Sequence, residues 1–215
     1  MSKIVIHRDG TKEPFKTEKI IKAIKYLLEW ISIQDPFVSM FQIIKNFEIK
    51  LPDEATTNDI DDMLLKAIES LIPEDPDFDR IASKQLVKII NKNINTRFSS
   101  FAEYIGYGVK EKLLSDKLLE FNCGTLELHI NYDYDDELNY FGLATIRDRY
   151  LMRDRKKQII EKPQRMRMRV AMGLSLLEKK QGRICYQNLP ENGNTQIPTF
   201  DTNTLQLRYT ILSTQ

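Results

Sequence analysis

Between Ile4 and Ile24 the sequence reads IVIHRDGTKEPFKTEKIIKAI, gathering His7, Arg8, Lys12, Lys16 and Lys19 around an Asp-Gly pair and the start of an amphipathic segment. Phosphate is the group such a set suits. Arg offers parallel hydrogen bonds to two phosphate oxygens, and a helix amino terminus adds unpaired N–H groups with a partial positive charge. Glu13, in their midst, suits a ribose or base donor instead. The same cations would equally serve as a solvated face, and their spacing alone does not separate the two readings.

Other chemistry is less well supported. The run NYDYDDELNY, residues 131–140, alternates oxygens as calcium likes, but it lacks the turn glycine and the terminal bidentate Glu of a calcium loop. A capped, solvated helix start is expected there, with Tyr132, Tyr134, Tyr140 and Phe141 packing locally. Arg165, Arg167 and Arg169, with Arg147, Arg149, Arg153 and Arg155 upstream, are the one feature that favours nucleic acid. At helical spacing the later arginines spread around the axis, so ion pairs to the domain or to a partner are expected and nucleic-acid binding is not. Two cysteines, Cys123 and Cys185, and two histidines, His7 and His129, form neither a CxxC pair nor a ligand cluster. No metal site is expected.

The whole chain bounds these readings. It has 215 residues, is 41% hydrophobic and 29% charged, and carries a formal net charge of +1. That is an ordinary soluble composition without a global field toward nucleic acid or anionic membrane, so any basic site is local. The amino terminus reaches charge by Lys3 and has no apolar leader, and no stretch approaches the roughly 18 apolar residues of a membrane span. A cytoplasmic location is expected.

The elements that must position the cations follow from pattern. Ile4–Ile6 is a β-branched run, Asp9-Gly10 reads as a two-residue hairpin turn, and Thr11 to Phe15 returns as a second strand. Thr17 reads as the N-cap of a helix carrying Ile20, Ile24, Leu27, Leu28 and Ile31. A second helix opens at Pro36, with Phe37, Met40, Phe41, Ile44 and Phe47 expected along its buried side and Lys50-Leu51-Pro52 closing it. A third begins near Thr57 and stops at Pro73, and a fourth runs from Asp77 toward Thr96. Less regular helical sequence follows, with a helix stop expected at Cys123-Gly124. Helices are expected over Tyr140–Leu151 and Met166–Leu177, with a short strand at Ile159-Ile160 ended by Pro163. From about Gln181 periodicity is lost, and loop or disorder is expected.

IVIHRDGTKEPFKTEKIIKAI, TTNDIDDMLLKAI and RIASKQLVKIINKNI, in that order, resemble the ATP cone, a regulatory nucleotide-binding module. YFGLATIRDRYLMRDRKKQIIEKPQRMRMRVAMGLSL, residues 140–176, resembles the start of the catalytic domain of the ribonucleotide reductase large subunit. The resemblance implies a mainly α-helical chain with a small amino-terminal hairpin: a cone over 1–95, an incomplete helical part of the reductase over 96–180, and an aberrant tail over 181–215. It also implies that Val5, His7, Arg8, Glu13, Lys16, Lys19 and Ile20 contact nucleotide from the hairpin and first helix. Thr57 and Asp61 would do so from the third helix and Lys92 from the fourth. The implied effectors are ATP as activator and dATP as inhibitor, with Mg2+ in attendance and no intrinsic redox cofactor. The implied partners are the reductase small subunit or the remaining part of the large subunit. His7 stands where the family commonly has Lys, Lys16 where it has Asn, and Asp61 where it has His.

Reduction in that family takes a thiyl-forming cysteine and a separate dithiol, which is more cysteine than this sequence contains. No turnover is expected of the chain alone. Truncation, a gene split into separate polypeptides, and a frame shift near Gly182 are all compatible with the tail. A stand-alone nucleotide-binding or interaction module is the alternative reading.

Overall fold

In a computed structural model, the structure describes residues 3–7, 9–29, 31, 35–48, 51–95, 97–135 and 137–180. Expectations for Arg8, for Lys50 and Thr96, and for the tail from residue 181 lie outside the described residues. The chain forms two compact units. Among the described residues, one takes in those up to Asn91 together with Leu138–Thr145, and the other takes in those of Lys92–Glu137 and 146–180.

The first unit is a small sheet held by helices. β1 (Ile4–Ile6) lies between β2 (Lys12–Pro14), antiparallel to it, and β3 (Glu54–Thr56), parallel to it. β3 has no counterpart in the sequence reading, because EAT is too short to show a period. The hairpin connection is also longer than expected. His7 N–H donates to the Thr11 carbonyl at 2.9 Å and Gly10 N–H to the His7 carbonyl at 3.0 Å, so the connection closes between His7 and Thr11, with three residues between them in sequence rather than two. Gly10 has φ +85°, the left-handed conformation that closes such a three-residue loop at little cost for glycine.

α1 (Thr17–Leu28) starts one residue earlier than expected: Lys16 rather than Thr17 occupies the N-cap, and its side chain makes no capping bond. Ile20, Ile24, Leu27 and Leu28 face the core. α2 (Pro36–Glu48) opens at its proline, where the missing N–H has no cost. Its buried face is Ser39, Ile43 and Phe47, whereas Phe37 is 77% and Phe41 68% exposed. The expected stripe was therefore rotated: two overlapping i, i+4 series run along this helix, and the packing partners chose the one containing Ser39. α3 (Thr57–Glu69) begins behind a capping box in which Thr56 and Asp59 satisfy each other's backbone N–H. α4 (Asp77–Asn95) supplies Phe78, Ile81, Ala82 and Leu86 to the core. α7 (Tyr140–Thr145) returns to this unit through Tyr140 N–H to Asp79 Oδ2 at 3.1 Å.

The second unit is built on α5 (Phe101–Lys110), α6 (Cys123–Glu127) and α8 (Pro163–Lys180). Cys123-Gly124 opens a helix rather than stopping one, because Asn122 caps it through Thr125 N–H at 3.1 Å. Tyr140–Thr145 passes into a π-helical turn at Ile146–Tyr150, so the expected helix to Leu151 is interrupted. Ile159 forms a single bridge to Arg153 rather than a strand, and Pro163 begins α8.

Glu161, fully buried, organises this unit. It accepts from Met152 N–H at 2.6 Å, from the Tyr104 hydroxyl, and from Arg169 Nη2 at 2.8 Å and Nε at 3.0 Å. Burial together with the Glu161 charge pushes the Tyr104 phenol well up. Burial alone would lower the Arg169 guanidinium, but the bonds and charge of Glu161 outweigh it and raise it. No helix among the described residues is long and apolar enough to cross a membrane.

Candidate functional site

β2 puts Glu13 at its centre, opposite Val5. Val5 is buried, as is Ile20 on α1. Val5 and Ile20 thus anchor the backbone of the site by apolar packing, while Glu13 projects half-exposed.

His7 and Lys19 reach Glu13 from opposite directions. His7 follows β1 at the loop end of the hairpin, and Lys19 sits in the first turn of α1, at the far end of β2. The two ends are separated by about 7 Å of strand, so the loop is not folded over the mouth of the helix. Their side chains nevertheless converge on one atom: His7 Nε2 lies 2.8 Å from Glu13 Oε1, and Lys19 Nζ bonds the same oxygen. Hydrogen bonds from Lys19 and then His7 hold the Glu13 carboxyl below its ordinary value. Sequence reasoning placed these residues near one another but did not foresee Glu13 as their common partner.

Two of the neighbouring charges are engaged. Asp9 Oδ1 accepts from Thr11 N–H at 2.9 Å and from its hydroxyl at 2.7 Å, and these bonds hold its carboxyl low. Lys12 pairs with Glu54 at 3.0 Å. Lys16 is exposed at the N-cap of α1.

β3 brings in the next element. Because β1 and β3 are parallel and Ile6 is opposite Thr56, His7 and Thr57 leave the sheet at the same end. Asp61 lies one turn beyond Thr57 on the same face of α3. Its carbonyl accepts from Gln85 Nε2 at 3.2 Å. Lys92 stands in the last turn of α4, within the second unit and half-buried. The structure thus joins His7, Glu13 and Lys19 directly, with Val5 on the paired strand and Thr57 beyond the sheet end that His7 leaves.

The other candidate chemistries resolve into structure. Arg165 is almost wholly buried, its Nη2 3.1 Å from Glu127 and its Nε donating to the Tyr132 hydroxyl at 2.9 Å. Arg147 pairs with Asp148 at 2.7 Å and Arg155 with Glu111 at 3.6 Å, ion pairs of the kind expected for these arginines. Asp135 is buried rather than solvated, accepting from Gln164 Nε2 at 3.0 Å. Phe141 is 75% exposed and does not pack locally. Among the described residues no group of three or more His, Cys, Asp or Glu is placed to hold a metal ion. Cys123 is buried, and burial pushes its thiol up, away from the reactive thiolate.

Comparison with known proteins joins this geometry to a family. The ATP cone domain model matches residues 3–93, and the model of the ribonucleotide reductase all-alpha domain matches residues 136–210. The chain thus carries, in order, sequence similar to an ATP cone and sequence similar to the ribonucleotide reductase all-alpha domain.

The relatives agree. The chain is 30% identical over 178 residues to the ribonucleoside-diphosphate reductase subunit alpha of Enterobacteria phage T4, covering 79% of this chain and 23% of that protein. It is 28% identical over 181 residues to the large subunit of Arabidopsis thaliana, covering 79% and 22%. The figure for Caenorhabditis elegans is 28% over 184 residues, covering 80% and 23%. The chain therefore spans less than a quarter of the length of these relatives. The reductase match runs to residue 210, past residue 180, where family-like sequence was expected to end. The cone accounts for the sheet, its loop and the helices that carry the candidate site.

Proposed function

We propose that the cone binds the triphosphate of ATP or dATP and regulates a ribonucleotide reductase of which this chain forms the amino-terminal part. The observation that carries the reading is the convergence of His7 and Lys19 on Glu13 beside the Thr57 end of the sheet, within a cone domain. Phosphate oxygens suit both the imidazole N–H and the ammonium, and Lys16 at the uncapped start of α1 adds charge where N–H groups also point.

Mg2+ enters with the triphosphate as its counter-ion, and Asp61 is the carboxylate on α3 that would tolerate phosphate only with a cation between them. Arg8 belongs to the set by family resemblance. The partners in this reading are the reductase small subunit and the remainder of a large subunit, in the cytosol. Turnover by the isolated chain is not expected, since the dithiol that delivers electrons has no counterpart in its two cysteines.

A thermal-shift titration of the 215-residue chain with ATP and with dATP tests the reading. At a hundredfold excess over Kd, binding to the native state alone stabilises it by about 2.7 kcal/mol, a shift well within detection. An unchanged midpoint with both nucleotides, together with no heat of binding, refutes it.

A further inference from the structure

We propose that Glu13 is a resident anion in the phosphate site: its carboxylate holds His7 and Lys19 until a polyphosphate takes them, so that ligand binding is an exchange of one anionic partner for another. The inference rests on the nucleotide-binding reading and specifies how that site is regulated from within.

Three observations support it. Both side chains, the His7 imidazole and the Lys19 ammonium, are engaged by the same carboxylate oxygen, Oε1, rather than one by each oxygen. Glu13 is fixed by its backbone at the centre of β2 opposite Val5, so the strand cannot carry the carboxylate away and only its side chain can turn aside. The nearby carboxylates have other partners. Asp9 is held by Thr11, Glu54 by Lys12, and Asp59 by Thr56, which leaves Glu13 as the one observed to bridge the two cations.

A ligand entering between His7 and Lys19 must break both contacts and leave Glu13 beside new negative charge. A monovalent anion replaces one bond at a time and gains little. A polyphosphate presents several oxygens along its length and can meet both cations at once. The resident carboxylate therefore sets a threshold that favours polyvalent anions. It also keeps the cations in place when the site is empty.

Calorimetric titration of the full chain and its Glu13→Gln variant with inorganic tripolyphosphate and with ATP tests the exchange. Tripolyphosphate isolates the phosphate contribution from anything Glu13 does for the sugar or base. Removing the carboxylate is expected to tighten tripolyphosphate binding about threefold to tenfold, the range set by freeing two exposed ion-pair contacts.

A second measurement needs no variant. In the wild-type chain the carboxyl carbon resonance of Glu13 reports its titration, and saturating tripolyphosphate is expected to raise the midpoint as the cations leave and phosphate charge arrives. If ATP binds wild type but Glu13→Gln leaves tripolyphosphate affinity unchanged or weaker, or the Glu13 midpoint does not rise, the exchange is overturned and nucleotide binding stands. If neither protein binds either ligand, both readings fail.

Discussion

Replacing Glu161 with Gln tests whether one buried carboxylate holds the second unit together. Gln keeps the shape, but its NH2 group faces donors where an oxygen stood. The side chain is 0% exposed and receives Met152 N–H, the Tyr104 hydroxyl and two nitrogens of Arg169, so no rotation satisfies them all. Arg169 is then left without its counter-ion. Breaking a buried pair in this way costs about 3–5 kcal/mol. The Arg169 side chain keeps 22% exposure, which lets water take up part of the loss and puts the expectation at about 3 kcal/mol. Tyr104→Phe removes one donor from the same carboxylate and should cost about 1 kcal/mol. Urea unfolding by circular dichroism, with hydrogen exchange along α8 to read this unit locally, measures both variants. A Glu161→Gln variant within about 0.5 kcal/mol of wild type, or less damaged than Tyr104→Phe, refutes the assignment of this cluster as the unit's main polar support.

Further expectations follow from the same structure. Ile43→Ala should destabilise the first unit by about 2–5 kcal/mol while Phe41→Ala stays within about 0.5 kcal/mol, because only Ile43 is buried; equal costs in denaturant melts would restore the stripe read from sequence. Thr56→Ala should cost about 1 kcal/mol and speed hydrogen exchange in the first turn of α3, since it removes the capping box. Burial alone would raise the Asp154 carboxyl, but Gln158 N–H and the Arg97 guanidinium hold it below its ordinary value. Its stabilisation is therefore present above the unfolded value, about pH 4, and is lost as pH falls through the lower folded value. Asp154→Asn should flatten that acid limb of the stability profile.

What could be read from the sequence was what local periodicity and turn chemistry encode. The first strand, the hairpin and the amphipathic helices of the first unit carried strong periods, and each formed. α2 shows where such reading fails. Phe37, Phe41 and Ser39 sit on competing faces of one helix, and the choice depends on what α1 and α3 present. β3 was hidden because three residues, of which only Ala55 is buried, show no alternation; it exists because β1 needs a partner on its other edge. The candidate site was legible as a group of residue types near one hairpin. That His7 and Lys19 would meet on Glu13 was not, since it depends on strand register and on where the first turn of α1 stands beside β2. The arginines of α8 read as ion-pair formers, but their partners were not legible: Arg165 is buried because Glu127 and Tyr132, more than thirty residues away, are there to receive it.

The parallel pairing of β1 with β3 has a consequence for how the cone comes into being. Residues 4–6 must wait for residues 54–56, across an intervening pair of helices, before the central strand has neighbours on both sides. Closing so long a loop is entropically slow compared with winding a helix. During synthesis the hairpin that presents His7 and Glu13 would emerge early yet lack its second border until α3 begins. The corner assigned to nucleotide binding is thus assembled after α1 and α2 have formed, and a chain cut before residue 54 would keep the basic residues but not the framework that aims them.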